Sequence, residues 1–330
     1  NKEYKDMENY VLLYGDKKPE DNVCIVNMFK NNQQINLGWT DFDYNKNMKI
    51  IEELINNGIK QIIFSGLEIG WDKLIKDIKE KYKDIKIKVI CNTLDSLLYY
   101  DYERQNFLNL LELSKQNIIE DIAFLRKGQY EVYKSLGYKC SFLRENYILD
   151  EDKKIQIKQK DDVIDIGIYP LNYTWDKNIF NQLCIPKYIE NSNLNYNEIN
   201  ERMKDFVTTM SINSTSDKIE EIDEKNIQEK IVKNDITIAT AFTEYFHTIF
   251  WISMEQGVPC IIGNTIDFFE NEDRELRNYL VTEAEDNSII NSKMVMKCLE
   301  NKEQIIKLYK EWKERYNELA NKSIVQFIEK

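Results

Sequence analysis

TEYFHTIFWISMEQGVPCIIGN, residues 243–264, brings a carboxylate, a short apolar helix and a Gly-Val-Pro turn into close succession. Phe246, Ile249, Phe250 and Ile252 recur at near-helical spacing, and Gly257 followed by Pro259 ends that helix before a buried strand at 260–262. Upstream, DITIA at 235–239 reads as a second buried strand. The unit is therefore strand, loop carrying Glu244, helix, turn, strand. This order predicts a helix starting near Phe246, with Glu244 at its N-terminus beside the carboxyl end of a parallel strand, the edge where open α/β sheets bind their ligands.

The same alternation extends outward through the chain. After a polar N-terminal stretch, strands are expected at 10–14 and at 23–29 (VCIVNMF). Helices at 47–56, 71–82, 102–116 and 128–136 then alternate with strands at 61–65, 87–91, 121–125 and 139–143. Apolar strands between amphipathic helices specify a parallel sheet covered on both faces. The charged run ENYILDEDKKIQIKQKDD reads as an interdomain linker. Beyond it, strands at 163–169, 185–190 and 206–210 alternate with helices at 177–183, 197–204 and 227–233, and helices at 287–299 and 302–328 close the chain. Polar runs such as NNQQIN and ENSNLNYNEIN read as solvated loops and helix faces. The fold class is α/β, with two doubly wound, Rossmann-like domains expected to face each other across a cleft. They span 1–162, with an extension at 1–22 and the linker at 146–162, and 163–308; a final helix at 309–330 is expected to pack back on the first domain.

Composition narrows the class of partner. A net charge of -12 opposes binding to nucleic-acid phosphates or to anionic lipid. No run approaches the roughly 18 apolar residues that span a bilayer, and the first residues lack a signal-peptide core, so a cytoplasmic protein is expected. The six cysteines are scattered without a C-x-x-C pair and read as reduced core residues. With His247 as the single histidine and no clustered thiols, no metal site is expected.

Residues 243–264 resemble the signature of retaining, nucleotide-sugar-dependent bacterial glycosyltransferases of the GT-B fold: Glu, seven residues, Glu, then a Gly-Val-Pro turn. Glu244 matches the first glutamate and Gly257-Val258-Pro259 the turn, without a gap. IGIYPLNYTWDKNIFNQL at 166–183 and DFFENEDRELRNYLVTEAEDN at 267–287 support the match in the second domain. SGLEIGWDKLI at 65–75 and IAFLRKGQYEVYKSLGYKCSFL at 122–143 look like the acceptor domain of some members. The chain departs from the pattern at three points. Ile252 occupies the place of the second glutamate, which in the family holds the ribose hydroxyls. Lys177 is the lone cation where the family usually has Arg and Lys, with Thr174 near the expected Arg. Asn92 stands where many relatives have His-Gly.

The resemblance implies transfer of a sugar, with retention, from a nucleoside diphosphate donor, UDP-sugar favoured, to a glycan or protein acceptor. It implies Glu244 and Lys177 as catalytic residues: Glu244 accepting from the sugar hydroxyls, Lys177 neutralising the leaving diphosphate together with the helix N-terminus. Donor contacts are expected from Thr243, Phe246, His247, Thr174, Trp175 and position Ile252, and acceptor contacts from Asn92 and Asp95. No metal or other cofactor is required when a cation and a helix N-terminus face the phosphate. The alternative implied by Ile252 and the absent Arg is a degenerate GT-B protein that serves as a binding or scaffold subunit of an active glycosyltransferase; self-association is a further expectation.

Overall fold

The computed structural model describes residues 9–16, 19–30, 32–38, 41–149, 154–155, 162–217, 219 and 223–330. The chain forms two compact units, one of residues 1–146 with 317–330, the other of residues 147–316. Most of the expected linker and the first eight residues of the expected N-terminal extension lie outside the described residues.

The first unit runs β1 (Tyr10–Tyr14), α1 (Pro19–Met28), β2 (Gln33–Asn36), α2 (Tyr44–Asn56), β3 (Gln61–Ser65), α3 (Trp71–Lys81), β4 (Lys86–Ile90), α4 (Asp101–Lys115), β5 (Asp121–Phe124), α5 (Lys127–Ser135) and β6 (Cys140–Phe142). Among the described residues its sheet has six parallel strands in the order β2-β1-β3-β4-β5-β6. Strands β3, β4 and β5 carry fully buried Ile62, Phe64, Val89 and Phe124, and the indole of Trp71 packs 5.6 Å from the Phe64 ring.

Two expectations fail here. VCIVNMF lies within or just beyond helix α1, not a strand: Pro19 opens the helix, and Cys24, Ile25 and Met28 form its buried face. NNQQIN is not a solvated loop, since Gln33–Asn36 forms the edge strand β2, where polar side chains are tolerated on both faces.

The second unit runs β7 (Ile164–Ile168), α6 (Ile179–Cys184), β8 (Ser192–Asn197), α7 (Glu201–Thr209), β9 (Ser214–Asp217), α8 (Glu224–Ile231), β10 (Ile236–Ala239), α9 (Thr248–Glu255), β11 (Cys260–Gly263), α10 (Arg274–Leu280), β12 (Val281–Thr282), α11 (Ser288–Glu300) and the first half of α12 (Lys302–Glu329). Its sheet is parallel, in the order β12-β11-β10-β7-β8-β9. The chain starts in the middle at β7, winds out through β8 and β9, returns to β10 and winds out the other way. The connections after β7 and β10 therefore part at a topological switch point.

The expected strand at 185–190 is a turn of 3-10 helix, Ile185–Tyr188, and the expected strand at 206–210 belongs to α7. The strand they displaced is β8, written SNLNYN. Its polarity is compatible with a sheet position because its amides are satisfied by neighbours. Asp165 Oδ1 accepts from Asn193 Nδ2 at 2.9 Å and Asn195 Nδ2 at 3.1 Å; Asn195 Nδ2 also donates to Asn234 Oδ1 at 2.9 Å, and Asn234 Nδ2 to the Tyr169 hydroxyl at 2.9 Å. Gly167 leaves room for this network, since a Cβ there would lie 2.7 Å from the Tyr169 ring and 2.8 Å from the Asn234 amide. The opposite face of β8 buries Leu194 and Tyr196.

Helix α9 begins at Thr248, two residues later than expected, and every residue from Thr248 to Met254 is buried. Trp251 stacks on Trp312 of α12, centroids 5.8 Å apart and 15° between planes, and packs on Phe268 and Tyr316. Lys313 Nζ lies 4.0 Å from the Trp251 ring centroid and donates to Tyr147 O at 2.6 Å. Glu255 accepts from the Tyr309 hydroxyl at 2.6 Å, which accounts for this carboxylate within the packing of α12.

The end of α12 belongs to the first unit. There the fully buried Lys88 donates to Phe327 O at 2.5 Å and Ile328 O at 3.0 Å, satisfying carbonyls in the last turn of the helix that have no intrahelical partner. Burial lowers the Lys88 ammonium to about 8. All six cysteines are free thiols, five of them buried, and desolvation pushes Cys260 and Cys298 up to about 12. Among the described residues no helix is long and apolar enough to cross a membrane.

Candidate functional site

The switch point of the second sheet is built by two loops, 169–178 after β7 and 240–247 after β10. Their backbones are tied together. Phe242 N donates to Asp176 O at 2.8 Å, and Asn178 Nδ2 donates to Thr240 O at 2.9 Å and to Glu285 O at 2.7 Å. Asn178 is left-handed, φ 53°, a conformation its side chain tolerates, and it turns the chain from the 3-10 turn Trp175–Lys177 into α6. Gly263 closes the other side: a Cβ there would lie 2.6 Å from Ala241 O, so only glycine lets β11 approach the loop.

These ties bring Lys177 and Glu244, 67 residues apart, into direct contact: Lys177 Nζ donates to Glu244 Oε2 at 2.7 Å. The side chains are 15% and 23% exposed, so the pair is screened from bulk water yet reachable. The buried carboxylate of Asp176 lies 3.9 Å from the same ammonium. One cation thus faces two carboxylates. Any anion binding at Lys177 would have to compete with both carboxylates.

The other expected donor residues fall into two groups. Thr174 and Trp175 line a pocket of about 400 Å³ with Tyr173, Asn178, Ile179, Phe180, Asn181 and Phe242. Thr174 Oγ1 donates to Asn172 Oδ1 at 2.8 Å, and the Trp175 indole, 55% exposed, lies 6.3 Å from the Phe242 ring. Thr243 is half-buried beside Glu244. By contrast, Phe246, His247 and Ile252 are interior: Phe246 packs on Tyr245, His247 packs edge-on to Phe268 at the start of α9, and Ile252 is 0% exposed. Glu244 lies four residues before α9, outside its first turn, so the expected placement at the helix N-terminus is corrected.

Asn92 and Asp95 follow β4 in the first unit. Asn92 is half-buried against Gly66, and Asp95 is exposed and accepts from Gln129 Nε2 at 3.2 Å and the Tyr133 hydroxyl at 3.1 Å. The switch point of that sheet lies between β1 and β3. Its carboxyl edge presents Gly15 and the buried Glu68, which accepts from the Tyr102 hydroxyl.

Sequence reasoning passed over Glu68, and also Asp176, Asn178 and Phe242. The one local signal was the aromatic flanking of both loops, YTW and AFTEYF. Among the described residues no group of three or more His, Cys, Asp or Glu is arranged to hold a metal ion.

No protein-family model matches the chain, and no curated protein matches it. Solved structures do. A sucrose-phosphate synthase from Thermosynechococcus elongatus is 11% identical, with a TM-score of 0.67 over 98% of each chain. Anabaena HepE, in complex with UDP and glucose, is 9% identical with a TM-score of 0.68, covering 98% of this chain and 100% of that one. The lipopolysaccharide outer core galactosyltransferase WaaB is 12% identical with a TM-score of 0.60, over 97% and 99%. At such identities the likeness is one of fold: the chain has the α/β architecture of GT-B glycosyltransferases, two Rossmann-like units each built on a parallel sheet.

Proposed function

We propose that the protein is a glycosyltransferase that takes a sugar from a nucleoside diphosphate donor, UDP-sugar favoured, and transfers it with retention to a glycan or protein acceptor. The observation that carries this reading is the Lys177–Glu244 contact, 2.7 Å, at the switch point of the second sheet. HepE, which shares the fold, was solved with UDP and glucose.

In the proposed reaction the bond between C1 and the phosphate oxygen breaks with oxocarbenium character. Lys177 meets the charge collecting on the departing diphosphate, and Glu244 holds the sugar through its hydroxyls. The acceptor oxygen attacks C1 from the side the leaving group has vacated, and its proton passes to the departing phosphate oxygen. Lys177 serves as the cation, so no metal ion is needed and activity persists in EDTA. A net charge of -12 is in keeping with a protein that works in the cytoplasm on a glycan or protein acceptor.

Calorimetric titration with UDP-glucose, UDP-galactose and their GDP and dTDP counterparts tests the reading. Binding that weakens in Glu244→Gln and Lys177→Met supports it. No heat with any nucleotide sugar at millimolar concentration rejects it.

A second reading, a binding or scaffold subunit of another glycosyltransferase, is favoured by the complete burial of Ile252, the position that in the resembling enzymes carries the ribose-binding glutamate. Slow hydrolysis of the donor by the purified protein, lost in Glu244→Gln, counts decisively against it.

A further inference from the structure

A second pocket, of about 480 Å³, lies wholly within the first unit, between strand β6 and the last turns of α12, with Tyr130 of α5 on one wall. Acidic residues outnumber basic ones 57 to 45 in the chain, yet among the described residues every charged side chain lining this pocket is a cation: Arg144, Lys322 and Lys330. A merely solvated face of so acidic a chain would carry both signs. A concave patch of one sign concentrates counter-ions instead.

The frame of the pocket is fixed by bonds that use some of these groups. Lys330 Nζ donates to Asp121 Oδ1 at 2.8 Å, to Cys140 O at 2.9 Å and to Ser141 Oγ at 3.2 Å, so its charge is already met by a buried carboxylate. Ser323 Oγ accepts from Arg144 N at 3.0 Å and donates to Ala320 O at 2.8 Å, which ties the chain after β6 to α12. The Arg144 guanidinium lies 5.2 Å from the Phe142 ring centroid, and that ring leans on Tyr130, centroids 6.1 Å apart. Lys322 is exposed and, among the described residues, has no ion pair.

The backbone adds donors. Strand β6 is an edge of its sheet and pairs with β5 alone. Ile122 N donates to Lys139 O and Leu143 N to Phe124 O, so in this parallel register the N–H groups of Cys140 and Phe142 point away from β5, to the side on which Lys330 meets Cys140 O. Side-chain cations and edge-strand amides thus converge on one cavity. A phosphate monoester, a dianion with three terminal oxygens, takes up more donors than a carboxylate does. The volume is that of a small-ligand pocket rather than of a single ion, and the Gln326 amide offers hydrogen bonds to a polar organic part.

We propose that this pocket binds a small phosphate monoester, its phosphate met by Arg144 and Lys322 and its polar organic part by Gln326. The site is independent of the donor reading, since none of its residues belongs to the loops 169–178 and 240–247. The ligand touches β6 and α12 together only in the folded chain, so its binding also stabilises the fold.

The test is calorimetry and thermal melting of the full chain at constant ionic strength with glycerol 3-phosphate, inorganic phosphate and glycerol. The proteins are wild type, Lys322→Glu, Arg144→Gln and, as a control for net charge, Lys293→Glu on the exposed face of α11. The expected result is binding of glycerol 3-phosphate by wild type, tighter than that of inorganic phosphate and absent for glycerol, with a rise in melting temperature. Affinity should fall about tenfold or more in Lys322→Glu and Arg144→Gln and stay unchanged in Lys293→Glu. Position 322 is exposed, so its variant decides the matter even if Arg144→Gln melts early. No binding of either phosphate at millimolar concentration overturns the proposal, as does wild-type affinity in Lys322→Glu, or an equal loss in Lys293→Glu, which would mean a general field rather than a site. Inorganic phosphate bound as tightly as the ester refutes the assignment to an ester. Sedimentation with phosphatidic acid vesicles without binding of the soluble ester overturns it too, giving the patch to a lipid surface.

Discussion

Placing a glutamate at position 252, where the resembling glycosyltransferases carry one, gives the most discriminating perturbation, because sequence pattern and burial predict opposite outcomes. By pattern, Ile252→Glu repairs a ribose-binding site and tightens nucleotide binding. By structure, it drives a carboxylate into a helix in which seven of eight residues are buried and position 252 itself is 0% exposed. A fully buried carboxyl has its pKa raised by roughly 3–5 units, to above about 7, so at pH 7 the folded chain must hold it protonated, at a cost of about 3–4 kcal/mol set by the span from the unfolded value near 4.3 to pH 7 at about 1.36 kcal/mol per unit. Loss of the isoleucine's burial adds about 1.5–3 kcal/mol. The sum is comparable to the lower end of an ordinary domain's entire stability, about 5–15 kcal/mol.

The expected outcome is a variant that is unfolded or melts far below wild type at neutral pH. This ionisation penalty is absent below the unfolded glutamate's pKa near 4.3, grows as pH rises from there towards the raised folded value, and levels off above it. Ile252→Gln, of similar shape without the charge, should cost markedly less. Urea unfolding at pH 4 and pH 7 for the three proteins provides the measurement. An Ile252→Glu protein as stable as wild type at pH 7, or one that binds UDP more tightly, refutes the burial argument.

Three further outcomes follow from the same geometry. Lys88 has a folded pKa of about 8 against an ordinary 10.5, so between those values the unfolded chain holds a proton the folded chain has lost, and its contribution to stability should rise with pH across that window by up to about 3 kcal/mol; urea unfolding at pH 7.5 and 10, taken as the difference from Lys88→Met, reads it. Asp165→Ala removes the acceptor of Asn193 and Asn195 and should destabilise by about 1–3 kcal/mol, whereas Asp165→Asn, which keeps an acceptor oxygen, should cost less; equal losses in chemical denaturation would argue against the ladder. A double-mutant cycle of Lys177→Met and Glu244→Gln should give a coupling of about 1 kcal/mol in the unbound protein, and zero coupling in thermal or chemical unfolding would mean the pair is not formed in solution.

Much of the fold was legible because it rests on local periodicity. The strands at 10–14 and 61–65 coincide with the observed β1 and β3, and the alternation of apolar runs with amphipathic helices carried the parallel α/β class through both units. Legibility failed where composition contradicted position. VCIVNMF looks like a strand because it opens on a short apolar run rich in β-branched residues, yet a proline at the first helical position and a one-sided burial pattern make it helix. SNLNYN looks like a loop because it is half asparagine, yet Asp165 and Asn234 supply partners that appear only when β7 and β8 pair. No window of sequence contains those partners.

At the site the division is similar. Spacing and residue type alone place Glu244 and Lys177 after strands and a Gly-Val-Pro turn after the helix that follows Glu244, and they put an isoleucine at position 252, where the resembling enzymes carry a glutamate. These are properties of spacing and residue type, which are one-dimensional. Only the tertiary structure decided that Lys177 meets Glu244 at 2.7 Å, that Phe246, His247 and Ile252 are packed in the interior, and that Trp175 and Phe242 wall a shared pocket. The reason is the order of the second sheet. Strands β7 and β10, with 67 residues between Ile168 and Ile236, are neighbours only because the chain winds outward twice from the middle, and hydrogen bonding between them sets two distant loops side by side.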